Sequence, residues 1–372
     1  MLRFFSFFLL VLCGSLLLLS GCKEIPTDRL YALWLDRVPT DADWQRALPH
    51  LVSVRGGRPH KLRSFSEIDE DTVHTSTASC HHGSRLPEPV DVDLRAYYTD
   101  RDLFLRLSWE DATRDQSMQD WVFDGERWVN SGAMEDGFGL LWDARGTFPQ
   151  FSCAYACHIS DFGVNRASFH ATNKMRLADE SAWLDLWNWK AARTAGLGFA
   201  DDRFLDQSGM HGDTAGELFR ENSRAMLSGD GTARPFSEQD LPIYDADRQP
   251  AAEGFRPPGT IAPGFLVERP KAGRADVVAV TDYRDGRWVV VLRRSLRTGD
   301  ARDVVFVPGD EVGVAFGLAL MDHTLYEHYA SQTMERLVLL KPGSGQPVPK
   351  DPSDNSLFGY RISSHFSGSR ER

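Results

Sequence analysis

Cysteine is scarce. Five occur in 372 residues, and two of them, Cys13 and Cys22, fall in the apolar N-terminal stretch. Cys80, Cys153 and Cys157 remain, too few for the disulfide framework of a small exported domain, so they point to chemistry rather than to staples. Positive charge is also short. Lys and Arg total 42 against 53 Asp and Glu, a net charge of −11, which argues against nucleic acid as a partner. Beyond the N-terminal stretch no apolar run is long enough to span a membrane. No phosphate-binding loop, catalytic triad or acid/base pair stands out, which favours a carrier or binding protein over an enzyme.

The N-terminus reads MLRFFSFFLLVLCGSLLLLSGC. A basic residue, an apolar run and small residues before a cysteine make a secretory signal rather than a folded element. Leu19-Ser20-Gly21-Cys22 resembles a bacterial lipobox, which implies a signal peptide over 1–21, cleavage before Cys22 and diacylglycerol on its sulfur. The expected location is the periplasmic face of a membrane, and Lys23 after the cysteine favours the outer membrane over the inner. Residues 22–40 read as a linker, 41–345 as one folded domain and 346–372 as a polar tail.

The folded part alternates like strands. VDVDLRAYY (90–98) and LFLRLSW (103–109) flank a TDRD turn, and Leu103, Leu105 and Leu107 share a face. DGFGLLWDA (136–144) is a further candidate. ADVVAVTDY and RWVVVLRRSL flank Arg284-Asp285-Gly286, a hairpin signal because Asp-Gly accepts positive φ. VVFV (304–307), VGVAFGLALM (312–321) and RLVLL (336–340) complete the set. Evenly punctuated strands predict a mainly β protein, an antiparallel β-sandwich. The middle differs. Residues 160–230 carry few strand patterns and a helical pattern near TAGELFRENSRAML, while 229–273 is rich in Gly and Pro and reads as a long surface connection. The expectation is a long, partly helical insertion that forms the functional site.

That insertion opens with FSCAYACHIS (151–160). Cys153 and Cys157 are separated by three residues and His158 follows at once. In c-type haem attachment two thiols bond the porphyrin vinyl groups and the adjacent histidine meets the iron, and the loop between the thiols can bulge by one residue. A zinc site needs four ligands, which Cys80 with His81 or His82 could complete. A thioredoxin-like redox pair prefers two intervening residues and a βαβ context. A plain disulfide is the simplest alternative.

The flanking pieces carry a resemblance. LFLRLSWEDATR (103–114), EDGFGLLWD (135–143), CAYACH, DLWNWKAAR (185–193), GRWVVVLRRSLRTGDARDVVF (286–306) and GVAFGLALMDHTLYEHYASQ (313–332) occur in that order. Together they resemble the ethylbenzene-dehydrogenase-type haem-binding domain, the family of the haem γ subunits of type II dimethyl-sulfoxide-reductase-like molybdenum enzymes and of related c-type cytochromes. The resemblance implies a sandwich similar to carbohydrate-binding modules, with haem near one end. In the molybdenum-enzyme subunits that haem is b-type, held by a methionine and a lysine. The methionine segment corresponds to the neighbourhood of CAYACH, and the lysine position to His328. Both positions therefore differ here in the direction of a covalently held haem c, with His158 and His328 as axial ligands. This departure weakens the transfer of a molybdenum partner.

Other residues carry two readings each. Trp187 and Trp189 line a haem pocket or fill the sandwich core. Lys190 and Arg193 pair with haem propionates or are solvated. Met175 is the rival axial ligand, since thioether ligation is common in c-type cytochromes, and His323 is a lesser rival. His170 and His211 read as loop residues with ordinary hydrogen bonds. Cys80 with His81 lacks the second cysteine of an attachment signature, so one haem is expected, not two. The expected function is a lipid-anchored c-type cytochrome that passes single electrons to or from a redox partner protein, a molybdenum oxidoreductase or a membrane cytochrome among the candidates. The alternative is a haem-free, carbohydrate-like-ligand-binding lipoprotein with a Cys153–Cys157 disulfide. The processing expectation is tested directly: mass spectrometry of the native chain should find lipidated Cys22 at its N-terminus, and Cys22→Ala should release the protein from membranes.

Overall fold

A computed structural model describes residues 29–55, 89–146, 157–158, 175–176, 181–206, 208–216, 218–223, 241–251, 256–323, 329–331 and 334–342. Cys22, Cys80, His81, His82, Cys153, His170 and His328 lie outside these, and at 157–158 and 175–176 the backbone alone is described.

One folded-over sheet organises the chain. Its first half comprises β2 (His50–Arg55), β3 (Val90–Tyr98), β4 (Asp102–Glu110), β16 (Val278–Arg284) and β17 (Arg287–Ser295). Its second comprises β7 (Gly137–Trp142), β10 (Leu184–Lys190), β11 (Asp201–Asp206), β12 (Gly209–Gly212) and β18 (Val314–Met321). The strand order is β12-β11-β10-β7-β18-β19-β2-β3-β4-β17-β16, with β19 (Tyr329–Ser331) bridging the halves. A second bridge is β1 (Arg29–Trp34), which runs parallel to both β3 and β20 (Glu335–Leu339), while β20 also pairs antiparallel with β18. All other pairings in this sheet are antiparallel, and the two halves face each other as a β-sandwich.

Alternation explains the layers. Val92, Leu94 and Ala96 of β3 and Leu103, Leu105, Leu107 and Trp109 of β4 point into the core that Phe138, Leu140 and Trp142 of β7 reach from the other half. Aromatic rings make the seam: Trp109 meets Phe138 at 5.9 Å and Trp189 at 6.1 Å between centroids, and Trp189 meets Trp288 at 5.2 Å. Trp187 stacks obliquely on Trp142 at 4.9 Å and meets Phe306 at 5.9 Å. The outer face of β3, β4 and β17 is also apolar. There Phe104, Tyr97, Val289 and Val291 are covered by Trp44 of the short helix α1 (Asp41–Arg46). The Arg284–Arg287 hairpin closes on Asp285 and Gly286 at φ 53° and 70°, the type I′ geometry that matches strand twist.

Several expectations change. The 22–40 segment is not all linker, because RLYALW finds two strand neighbours and becomes β1. Among the described residues of 214–223 no helix forms; Phe219–Glu221 is instead strand β13, paired with β15 (Phe265–Val267) in the stretch expected to be surface connection. That connection is anchored further by β14 (Ile261–Ala262), which pairs with β5 (Trp121–Phe123), itself paired with β6 (Trp128–Asn130). Residues 304–307 are irregular although Val304 and Phe306 are buried, since Val304 N–H donates to the Asp185 carboxylate at 2.9 Å and Phe306 N–H to the Leu296 carbonyl at 2.9 Å. Among the described residues of the middle region the helical turns are 3-10, at Ala195–Leu197 and Ala272–Ala275, and none is an α-helix.

The seam should dominate stability. Trp189→Ala should cost ~3–5 kcal/mol, the range for truncating a large buried aromatic, and Trp189→Phe clearly less. Urea denaturation followed by circular dichroism measures both.

Candidate functional site

Strand registers bring several expected site residues to one end of the sheet. Gly137 opens β7 opposite Lys190, the last residue of β10, and opposite Met321, the last residue of β18. Tyr329 opens β19 opposite Leu320, towards the same end, while His328 lies outside the described residues. Glu135, Asp136, Arg193 and His323 sit on the connections just beyond.

Glu135, Asp136, Lys190 and Arg193 are neither solvated nor loose. Glu135 is 1% exposed and accepts from the backbone N–H groups of Ala192 at 2.7 Å and Arg193 at 3.0 Å. The Arg193 guanidinium also donates to it, and lies 5.1 Å above the rings of both Phe219 and Phe265. Lys190 is 7% exposed, donates to Asn188 and faces Phe219 at 5.1 Å. Its burial pulls the ammonium pKa down to about 7, against the attraction of Asp201. Asp136 is fully buried and collects three donors: Asp115 N–H at 2.9 Å, His323 N–H at 3.0 Å and Trp288 Nε1–H at 3.0 Å. Burial raises its pKa to about 7, with those donors pulling the other way. Asp136 thus ties β7 to the facing half of the sandwich and to the connection that leads towards residue 328.

The expected residues separate into groups. Trp187 and Trp189 belong to the core, 1% and 0% exposed, and their ring contacts are those of sandwich interior rather than of a pocket wall. Lys190 and Arg193 stand together at the sheet end, with Arg193 already paired to Glu135. Cys157 and His158 form a short extended segment, β8, paired with β9 (Met175–Arg176), and the register sets His158 opposite Met175. β9 lies against β11. His211 is a strand residue rather than a loop residue, but its bonds are ordinary: Nε2 to Asp206 at 3.0 Å and to the Ser208 hydroxyl at 2.8 Å, with the ring on Phe204. His323 is exposed, bonded through Nδ1 to Asp322 at 2.7 Å, with its backbone at φ 38°.

Glu135 and Asp136 escaped the sequence reading. Their signal was two adjacent acids opening an apolar strand, which looks like a solvated turn until the strand is buried on both faces. At the other end of β10 and β11 lies an open cleft of about 670 Å³ lined by Trp183, Asp206, Ser208, Asp300 and Arg302 among others.

The buried lysine makes stability depend on pH. Between about 7 and the ordinary lysine value of 10.5 the unfolded chain holds a proton that the folded chain lacks, so folding becomes more favourable as pH rises through this window. Lys190→Met should flatten that rise. Urea midpoints taken across the same window check it.

The ethylbenzene dehydrogenase family matches residues 41–329, a range that contains Cys153, Cys157, His158 and the His328 position. A search of curated proteins finds no match. Among solved structures, a family 9 carbohydrate-binding module from Caldicellulosiruptor kristjanssonii in complex with cellotriose aligns with a TM-score of 0.31 and 8% identity, covering 87% of this chain and 100% of that one. The same module in complex with glucose aligns at 0.29 and 8%, covering 85% and 97%. The sandwich assignment rests on strand order and the facing core, not on these scores. With the family match extending over well over half of its length, the chain belongs to the ethylbenzene dehydrogenase family, an oxidoreductase-associated family.

Proposed function

We propose that this protein is a lipid-anchored electron-transfer protein of an oxidoreductase system, carrying one haem c bound through Cys153 and Cys157. The observation that supports it most is the coincidence of the Cys-x-x-x-Cys-His signature with family membership: the signature lies inside the matched range. The donor set fits, since two thiols followed directly by an imidazole supply both attachment points and one axial ligand. When bound, the haem would supply a one-electron redox centre. The chain's part is to hold and tune it.

Backbone register bears on the second axial ligand. His158 and Met175 are directly paired, and Cα atoms of antiparallel partners lie about 4.5–5.5 Å apart. Ligands on opposite faces of a porphyrin have the ring between them and so come from backbones much further apart. This favours His328 over Met175 beside His158. Lys190 and Arg193, together at one sheet end, would be the cations offered to propionates; Lys190 would gain its full charge from such a partner. A second imidazole keeps the potential lower than a thioether would.

The chain is produced with a working cytochrome c maturation system. Haem should survive denaturing gel electrophoresis, and Cys153→Ala with Cys157→Ala should remove it. His328→Ala should shift the ferric spectrum towards high spin, whereas Met175→Ala should leave it unchanged. A colourless protein with a Cys153–Cys157 disulfide would instead support the ligand-binding alternative, with the Trp183 cleft as its site.

A further inference from the structure

A second concentration of charge lies away from that sheet end, where β10 and β11 pack towards β17. The register sets Asp185 opposite Phe204 and Asp202 opposite Trp187, so the two acids stand diagonally on one face. Asp303 joins them from the connection after β17, and the three carboxylates bring oxygens within 4.8 Å of one another. Asp185 and Asp202 are 0% exposed and Asp303 is 5% exposed. Arg294, itself sealed, is the cation that meets all three, at 3.5 Å, 3.4 Å and 2.6 Å respectively.

Three ionised acids around one guanidinium would leave surplus negative charge in the interior. Other cations nearby are occupied. Arg274 makes two bonds of 2.8 Å to Asp201, Arg203 stands 3.8 Å from that same carboxylate, and Arg302 lies over the Phe204 ring at 4.1 Å. The remaining charged neighbours are acids: Asp213 and Asp300 beyond Asp303, and Asp276, whose field also meets Asp303.

Counting donors shows where the surplus is met. Asp185 Oδ2 accepts from Val304 N–H at 2.9 Å, and Asp303 accepts from the Thr298 hydroxyl. Asp185 Oδ1 and both oxygens of Asp202 receive no N–H or hydroxyl donor. Yet the Asp185 and Asp202 carboxyls are bonded to each other. Two carboxylate oxygens can bond only through a proton, and like charges this close in a sealed site do not both ionise. One proton on Asp202 therefore supplies the donor that Asp185 lacks and removes one surplus charge. Burial pushes both carboxyls above their ordinary 3.8, against the pull of Arg294.

We propose that Asp202 is a neutral acid at neutral pH, donating its proton to Asp185, and that loss of this proton is a pH-sensitive release on the contact between the β10–β11 pair and the connection carrying Asp303. This inference is independent of the haem.

The unfolded chain loses this proton near 3.8, whereas the folded chain keeps it to higher pH. The pair's contribution to the folding constant should therefore fall by up to about tenfold per pH unit above that value until the pair ionises, opposite in sign to the rise from Lys190. Asp202→Asn copies the shape of the neutral acid and keeps a donor towards Asp185, but has no proton to lose. Urea midpoints of the full chain and this variant are compared from acid to neutral pH, and the infrared carbonyl band of protonated carboxyls is recorded at neutral pH. The folding constant of Asp202→Asn relative to the parent should grow by up to about tenfold per pH unit, and the variant should lose protonated-carboxyl absorption. Asp91→Asn, an exposed strand aspartate, should show a ratio that does not change with pH. A parent without a protonated-carboxyl band at neutral pH overturns the proposal. So does an Asp202→Asn ratio that stays flat across the range, or an Asp202→Asn chain that cannot fold, since either means that the ionised form is the one the fold requires.

Discussion

A guanidinium sealed between the two halves of the sheet sets the geometry of this protein. Arg294 projects from β17, while Asp185 and Asp202 come from β10 and β11 of the facing half, and Asp303 from the irregular connection beyond β17. The same guanidinium donates to the Val304 carbonyl at 3.0 Å and lies over the Trp187 ring. An apolar seam alone tolerates sliding, because dispersion has no preferred direction. Buried ionic groups do not, because a partner displaced by an ångström leaves desolvated charge behind. Arg294 therefore fixes how the halves face, and the aromatic rings fill the space so defined.

The opposite end of β10 follows the same logic with different residues. Glu135 accepts two backbone donors and a guanidinium, and Asp136 gathers donors from three separate segments. Both are acids whose neighbours were brought to them by strand pairing. For the haem proposed above, a rigid frame of this kind would limit the rearrangement of charge that accompanies electron transfer.

What could be seen in the sequence was whatever has a period. The alternation in 90–98 and 103–109 and most of the apolar run at 312–321 become strands, and Asp285-Gly286 a hairpin turn, where expected, because each is decided by near neighbours in sequence. Pairings decided at long range were hidden. Phe219–Glu221 reads as helix until its partner at 265–267 is known, and Val304 and Phe306 read as strand although their backbone donors go to Asp185 and Leu296. Trp187 and Trp189 left core and pocket equally open, since a tryptophan pattern does not say what lies opposite; Trp142, Trp109 and Trp288 do. The Cys-x-x-x-Cys-His pattern could be picked out because it is local in sequence, whereas Asp202 and Asp213 became noticeable only once their carboxylates were seen buried.

The parallel pairing of the earliest described strand with the last has a consequence for how the chain reaches this state. Arg29 sits opposite Arg336, so β1 has only β3 to lean on until nearly the whole chain has been synthesised. Until β20 arrives, one side of β1 and one side of β18 present open hydrogen-bonding edges, the surfaces on which strands of other molecules add. Closure of so long a loop is slow compared with local hairpin formation. The hazard for this protein is therefore kinetic: an interval of exposed edges before the final strand seals the sandwich, during which a chaperone has more to protect than at any later time.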